Sequence, residues 1–344
     1  MKKTNFLYAS AIMMAFAFGM TSCEQSIDNP VDSVNRGATL SDLINDYAQD
    51  GVLELPSGLD VELTETLVLD APLTITSKGA PATIIAKAGF VTSNNIILEN
   101  VNIDASNLGE NLISLPSQGP SEINNIASIT LADVKVTGLS KALFYSAAKN
   151  NLIENLTINN SIIEVAKDIT VIDFTKGSAA RNINIENSTM YATSTTSKSM
   201  YSSQSGQKLT ELDSQGIQTF KFANSTFYNF AKTKNFFSHR QANQKWLAYN
   251  VSKCIFVDCG KSGQAIKGLN GGQSGANPIW TINGNVFNFV GEDGVAKDTS
   301  ENESTGDDAE PVSESIAVVV AFADAANGDF SQSDAQAGDP RWIK

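Results

Sequence analysis

The sequence predicts an all-β chain wound into a parallel β-helix of about seven to nine coils, with a short capping helix at its N-terminal end. Three observations predict this fold. A frame of apolar and small residues repeats along the chain, each half of the frame alternates with period 2, and Asn, Asp or Gly recurs at the joint between the halves. Each repeat therefore reads as two short strands separated by a bend.

The repeating frame is apolar-x-apolar-x-x-small-x-apolar. It occurs seven times, at Ile96–Ile103, Ile129–Val136, Leu156–Ile163, Ile183–Met190, Phe220–Phe227, Tyr249–Phe256 and Trp280–Phe287. Loops of varying length separate the copies, as in solenoids. A β-propeller would need four strands per copy, and an immunoglobulin-like sandwich would need paired hairpin signals that are nearly missing between these strands.

The residue before the small position of the frame marks the bend. It is Asn100, Asp133, Asn160, Asn187, Asn224, Lys253 and Gly284 in successive copies. Asn, Asp and Gly tolerate the left-handed backbone conformation of a tight bend, so six of the seven positions fit. Stacked Asn side chains would also hydrogen-bond from one coil to the next.

The N-terminal residues are predicted to be a targeting signal and not part of the folded domain. Two lysines precede a short apolar run that ends at Cys23, so residues 1–22 are typical of a signal peptide. The end of the run resembles a bacterial lipobox, which implies cleavage before Cys23 and lipid attachment to it. Two or more acyl chains suffice for stable membrane anchoring.

The rest of the chain is predicted to form one domain. Residues 23–37 have the composition of a flexible tether, and residues 38–344 would form a single β-helix domain. Leu40, Leu43, Ile44 and Tyr47 lie at helical spacing behind a Thr39 or Ser41 cap and predict the capping helix. Within the domain, residues 291–315 are predicted to be a disordered acidic insertion.

Several of these features together resemble a known family. They are the lipobox, the cap helix, the Asn-rich coils and the closing Gly338–Trp342 stretch, "GDPRW". The chain resembles uncharacterised surface lipoproteins of glycan-degrading gut bacteria that carry a pectate-lyase-like right-handed β-helix. The resemblance implies a right-handed coil, an outer-membrane location exposed at the cell surface and a possible role beside a glycan-uptake complex. It supplies no catalytic residues.

Charge and composition limit the classes of ligand that the protein is expected to bind. The formal net charge is −13, which makes nucleic acid a poor partner and also weighs against polyanionic glycans, unless basic residues are gathered at one site. No cofactor is expected. One His and two Cys five residues apart do not make a zinc site, and Cys254 at an inward position is predicted to be a buried thiol.

The candidate ligand-binding site is the loop Phe236–Trp246, "FFSHRQANQKW". It combines the single His of the chain with cations, amides and a Trp, a mixture that suits sugar recognition. Trp246 is predicted to point outward and to stack against a sugar, with Trp280 in the core. Tyr191 and Tyr201 mark the next candidate loop. The predicted ligand-binding residues are His239, Arg240, Gln244, Lys245 and Trp246.

These residues favour a lipid-anchored protein that binds a polysaccharide or oligosaccharide without cleaving it and assists its capture and uptake. The alternative is a polysaccharide lyase of the same fold, in which Arg240 or Lys245 would act as the base. A hydrolase needs two carboxylates on one groove, whereas Asp168 and Asp173 lie an odd number of residues apart. A structural envelope protein without a glycan ligand is a third reading.

Overall fold

The structure is a computed structural model, and it describes residues 37–116, 122–146, 148–194, 198–203, 207–239, 246–260, 279–290, 295–299 and 315–344. The described chain is a parallel β-helix, as predicted. Three sheets run along its axis, and every strand pairing is parallel except the last one in the second sheet. No helix in these ranges is long and apolar enough to cross a membrane.

Sheet I has nine strands. They are β1 (Val52–Leu55), β4 (Leu73–Ser77), β7 (Ile96–Glu99), β10 (Asn124–Ala132), β13 (Asn151–Asn159), β16 (Ala179–Glu186), β19 (Gln218–Ala223), β22 (Leu247–Ser252) and β24 (Ile279–Asn283).

Sheet II has ten strands, the last of them antiparallel. They are β2 (Asp60–Leu63), β5 (Ala82–Ala86), β8 (Val101–Asp104), β11 (Lys135–Leu139), β14 (Ile162–Val165), β17 (Thr189–Ala192), β20 (Thr226–Tyr228), β23 (Ile255–Val257), β25 (Val286–Val290) and β26 (Ala296–Asp298).

Sheet III has seven very short strands. They are β3 (Leu67–Leu69), β6 (Phe90–Thr92), β9 (Ile113–Leu115), β12 (Phe144–Ser146), β15 (Ile172–Asp173), β18 (Tyr201–Ser203) and β21 (Phe237–His239). The sequence frame missed this sheet, because strands of two or three residues are too short to show period 2. Two long stretches between the frames, 193–216 and 228–245, contain β18 and β21.

The predicted interior rows are confirmed. Ile185 pairs with Phe222, Phe222 with Val251, and Val251 with Ile282, so one position of the frame forms a continuous buried row through four coils. The rings of Phe227, Phe256 and Phe287 stack in the same way, with centroids 5.0 and 5.2 Å apart. This distance is close to the spacing of neighbouring strands, so the rings repeat with the backbone.

The bend between sheets I and II is also as predicted. All seven bend residues have a positive φ, including Lys253 at 51°, which composition alone would not place there. The Asn224 amide donates to Asn187 Oδ1 at 3.3 Å, and the Asn160 amide donates to the Asp133 carboxylate. Bend side chains therefore link successive coils.

The N-terminal end is closed by α1 (Leu40–Tyr47). Thr39 is the cap, and its side chain accepts from the Asp42 backbone while the Asp42 carboxylate accepts from the Thr39 backbone. This reciprocal capping box satisfies two free N–H groups of the first turn. Leu40 and Leu43 are buried in the core, so the helix covers the apolar end of the first coil.

The coils begin before the first sequence frame at Ile96: the first coil contains β1 and β2, and residues 67–79 span β3 in sheet III and β4 in sheet I. The acidic insertion predicted to be disordered is ordered in part, since Ala296–Asp298 forms β26 against β25. The remainder, residues 291–294 and 300–314, lies outside the described residues.

The C-terminal segment, residues 315–344, covers the outer face of sheet II. Val320, Ala335 and Ala337 pack with Ile255 and Val286 in a second apolar cluster outside the coil. Trp342 also attaches this segment to sheet II, because its indole nitrogen donates to Thr189 Oγ1 at 2.7 Å, on β17.

The closing "GDPRW" stretch binds several coils at once. The buried Asp339 carboxylate accepts from Thr189 Oγ1 at 2.7 Å and pairs with Arg341 at 2.8 Å. Arg341 donates in turn to the carbonyl oxygens of Ser161 and Asn187, on two successive coils. Gly338 has φ +87°, and a Cβ there would approach Ile255 Cδ1 to 2.7 Å, so this position requires Gly.

Replacing Phe222 with Ala tests the interior row. The large ring is fully buried between Ile185 and Val251, so its removal leaves a cavity, and we expect a loss of about 3 to 5 kcal/mol in the free energy of unfolding. Asn250→Ala, at an exposed position of β22, is the control, with an expected loss of about 0.5 kcal/mol or less. Equal denaturation midpoints for the two variants would contradict the buried row.

Candidate functional site

The structure corrects the predicted exposure of two of the binding residues, Trp246 and His239. Trp246 is only 8% exposed and His239 only 5%, so neither ring is an exposed platform for a sugar. Trp246 precedes β22 rather than lying in it, so strand alternation does not determine its direction. Its ring packs edge to face on His239, with centroids 6.3 Å apart. Arg240, Gln244 and Lys245 lie outside the described residues, as does Cys23.

His239 belongs to an aromatic cluster inside the last coils. Its Nε2 lies 2.6 Å from the Tyr249 hydroxyl, and the Tyr249 ring stacks on Phe220 and on Trp280. Burial lowers the pKa of His239 to about 3, so the imidazole is uncharged at neutral pH. Its Nδ1 finds no hydrogen-bond partner in the described part of the chain. His239 is therefore a core residue.

The next candidates, Tyr191 and Tyr201, are buried too. Tyr201 packs against Phe174, Phe220 and His239. The Tyr191 hydroxyl lies 3.0 Å from the Glu164 carboxylate, and burial raises the pKa of this Tyr. The predicted inward thiol is confirmed: Cys254 is fully buried, and burial raises its pKa to about 12.

The outer faces of the coil are the remaining candidate surfaces among the described residues, and the three sheets differ in what their outer faces offer. Sheet II is covered in its C-terminal half by residues 315–344. On sheet I, polar side chains pair with each other: the Asn182 amide donates to Asn155 Oδ1 at 3.1 Å, and Lys221 pairs with Glu186 at 2.6 Å.

The outer face of sheet III is an in-register column that runs along the axis. Successive strands place Val68, Val91, Ser114, Tyr145, Asp173, Ser202 and Ser238 at equivalent positions. From β9 onward every member carries a hydrogen-bonding group; Ser114, Tyr145, Asp173 and Ser238 are partly exposed, whereas Ser202 is buried. The steps between members equal the strand spacing of about 4.8 Å. Hereafter this set is called the sheet III column.

Loops border the column on both sides. Each sheet III strand begins after a loop from sheet II and ends at a loop to sheet I, whereas sheets I and II meet at the tight Asn bend. One of these loops contains the short helix α2 (Leu209–Leu212). Ligand contacts in solenoids are made where such loops leave the stack.

Exposed lysines are concentrated in these loops. Lys141, Lys167, Lys198 and Lys234 lie in the loops that enter β12, β15, β18 and β21, while Lys149 and Lys176 lie in loops that leave β12 and β15. We call these six residues the lysine rim. The sequence contained this signal, because all six fall between the frames, but without sheet III they had no common surface.

The two acidic residues considered for hydrolysis are not paired on one strand. Asp168 lies in the loop before β15, and its carboxylate accepts from the Lys198 backbone at 3.0 Å. Asp173 belongs to the sheet III column, where its carboxylate accepts from the Thr175 backbone at 3.0 Å and from the Thr175 hydroxyl. Within the described residues, no group of three or more His, Cys, Asp or Glu side chains is arranged to hold a metal ion.

Comparison with known proteins adds a partial match. A model for a domain of unknown function, DUF4957, matches residues 60–193, which is less than half of the chain. The matched segment runs from β2 to just beyond β17 and includes the sheet III strands β3 to β15. Neither the curated proteins nor the solved structures give a significant match. The chain is thus a parallel β-helix protein with a DUF4957-like segment.

The protonation of His239 can be followed separately, because it is the only His in the chain, and it leads to a prediction for the pH dependence of stability. The unfolded chain binds a proton near pH 6.5 and the folded chain only near pH 3. The uncharged His239 therefore contributes its full stabilisation of the folded state above pH 6.5. Between pH 6.5 and pH 3 the free energy of unfolding decreases by about 1.4 kcal/mol for each pH unit. NMR titration of the single imidazole should show no midpoint above pH 5.

His239→Gln is the matched variant. It should remove this component of the pH dependence between pH 6 and 4, as measured by chemical denaturation at each pH. An imidazole that titrates near pH 6.5 in the folded protein would contradict burial.

Proposed function

We propose that the protein binds a polysaccharide along the sheet III column and does not cleave it. The observation that carries this proposal is the column itself. Partly exposed hydroxyl, phenol and carboxylate groups of Ser114, Tyr145, Asp173 and Ser238 lie along the axis, interrupted by the buried Ser202, between two lines of loops. A linear surface with a repeating set of hydrogen-bonding groups suits a linear polymer with repeating hydroxyls better than a compact small molecule.

Tyr145 is the aromatic member of the column. It lies on β12 between Ser114 and Asp173 and is only partly buried, unlike Trp246, Tyr191 and Tyr201. An aromatic ring with a hydroxyl offers a flat apolar surface and a hydrogen-bonding group together. Tyr145 therefore replaces Trp246 as the proposed sugar-stacking residue.

We further propose that the protein is lipid-anchored at Cys23, exposed at the outer-membrane surface and accessory to glycan capture and uptake. The support is the sequence of residues 1–23 and the tether composition of residues 23–37. A tethered rod would hold the sheet III column away from the membrane.

Tyr145→Ala tests the site. It should weaken binding to the best polysaccharide of a glycan array about tenfold, because an aromatic anchor contributes strongly to binding. Trp246→Phe is the control and should bind as the wild type does, since the Trp246 ring is buried. The reverse pattern, with Trp246→Phe impaired and Tyr145→Ala normal, would return the site to the loop that follows β21.

The same binding reactions test the absence of cleavage. Polysaccharide recovered after long incubation should keep its chain length. Unsaturated products that absorb in the ultraviolet would instead assign the protein to the polysaccharide lyases.

Cys23→Ala tests the anchor. The wild-type chain should incorporate radiolabelled palmitate and fractionate with membranes, whereas Cys23→Ala should incorporate none and retain its leader. A Ser22→Ala variant keeps the Cys and serves as the control. A Cys23→Ala protein that is processed and released normally would contradict lipidation.

A further inference from the structure

We propose that the ligand of the sheet III column is an anionic polysaccharide, whose carboxylates or sulfates bind the lysine rim. This inference rests on the proposed function, since it names the chemical class of the polysaccharide. It also goes beyond it, because the net charge of the chain by itself predicts the opposite preference.

The local charge around the column is opposite to that of the whole protein. The chain has 24 Lys and Arg against 37 Asp and Glu. The loops that enter or leave β12, β15 and β18, together with the loop that enters β21, contain eight lysines and three acids. The lysines are Lys141, Lys149, Lys167, Lys176, Lys198, Lys208, Lys232 and Lys234, and the acids are Asp168, Glu211 and Asp213. A cationic surface is thus gathered at one site.

Several cations elsewhere on the described surface are already neutralised, although exposed Lys78, Lys135 and Lys253 are unpaired like the rim. Lys87, Arg181, Lys221, Lys232 and Arg341 each form an ion pair with a nearby carboxylate. The six rim lysines are exposed and form no ion pair with any other described residue. Their charges are available to a ligand, whereas the paired cations are already neutralised locally.

The placement of the rim follows the coil. Lys141, Lys167, Lys198 and Lys234 occupy the entering loops of four consecutive coils, so they lie on the same side of the column. Lys149 and Lys176 occupy the opposite side. A strand of three residues is about 10 Å long, so the two lines of lysines border a narrow strip. An anionic polymer lying along the strip would meet cations from both sides.

A glycan fits this strip better than a nucleic acid does. Single-stranded nucleic acid is bound on aromatic platforms, and the column offers one aromatic ring, Tyr145. The remaining members of its polar part are hydroxyls and one carboxylate. The Asp173 carboxylate can accept hydrogen bonds from sugar hydroxyls. Lysines that border such a column suit anionic groups on a hydroxyl-rich chain.

The test compares matched polymers and matched variants of the full chain. The polymers are polygalacturonate and its fully methyl-esterified form, and dextran sulfate and dextran, which differ within each pair in charge. The variants are Lys141→Gln/Lys167→Gln/Lys198→Gln and, as the control with the same charge change, Lys78→Gln/Lys135→Gln/Lys344→Gln at exposed positions away from the column. Affinity electrophoresis and calorimetry at about 0.15 M salt measure binding, and duplex DNA is a further probe.

We expect tenfold or tighter binding to at least one anionic polymer than to its neutral partner. The rim variant should lose about tenfold in affinity, and the control variant about twofold or less. Binding of a neutral polymer with no change in the rim variant would overturn the anionic class and leave polysaccharide binding standing. Failure to bind any polysaccharide on a broad array would overturn both. Duplex DNA bound as tightly as the best anionic glycan would overturn the glycan assignment.

Discussion

The structure depends on one constraint: each inward side chain must lie directly above the equivalent side chain of the preceding coil. Parallel pairing with an in-register backbone imposes this stacking, so an interior row is one continuous apolar contact. The rows of Phe227, Phe256 and Phe287 and of Phe220, Tyr249 and Trp280 show the consequence in its strongest form. Every other feature, including the positions of surface residues, follows from this register.

The same constraint makes the three corners of the coil unequal. From β7 onward, the bend between sheets I and II is only one or two residues long and contains a single left-handed residue per coil. The corners beside sheet III have no such restriction, and their lengths vary from coil to coil. Surface chemistry can therefore change around sheet III without disturbing the interior. Residues 315–344 meanwhile cover part of the outer face of sheet II. Asp339 and Arg341 bind several coils there, and apolar residues of the segment form a second cluster with the sheet.

The fold was predictable from the sequence where the strands were long enough to show alternating apolar residues. The frame placed Ile185, Phe222 and Val251 in one row, because two alternating strands per coil are visible to inspection. It failed for β21, a strand of three residues that looked like a polar loop, and so placed His239 on the surface. Trp246 was misassigned for a related reason, since it lies just outside the strand whose alternation was used to orient it. The lysine rim was missed because only the fold brings those loops together.

Hydrogen–deuterium exchange with and without a bound anionic polysaccharide tests the central claim most directly. Amides in the loops that flank sheet III, within residues 140–143, 148–150, 166–178 and 229–236, should gain protection. Amides of sheet II beneath residues 315–344 should not change. Protection confined to residues 246–260 and 279–290, with none around sheet III, would contradict the account.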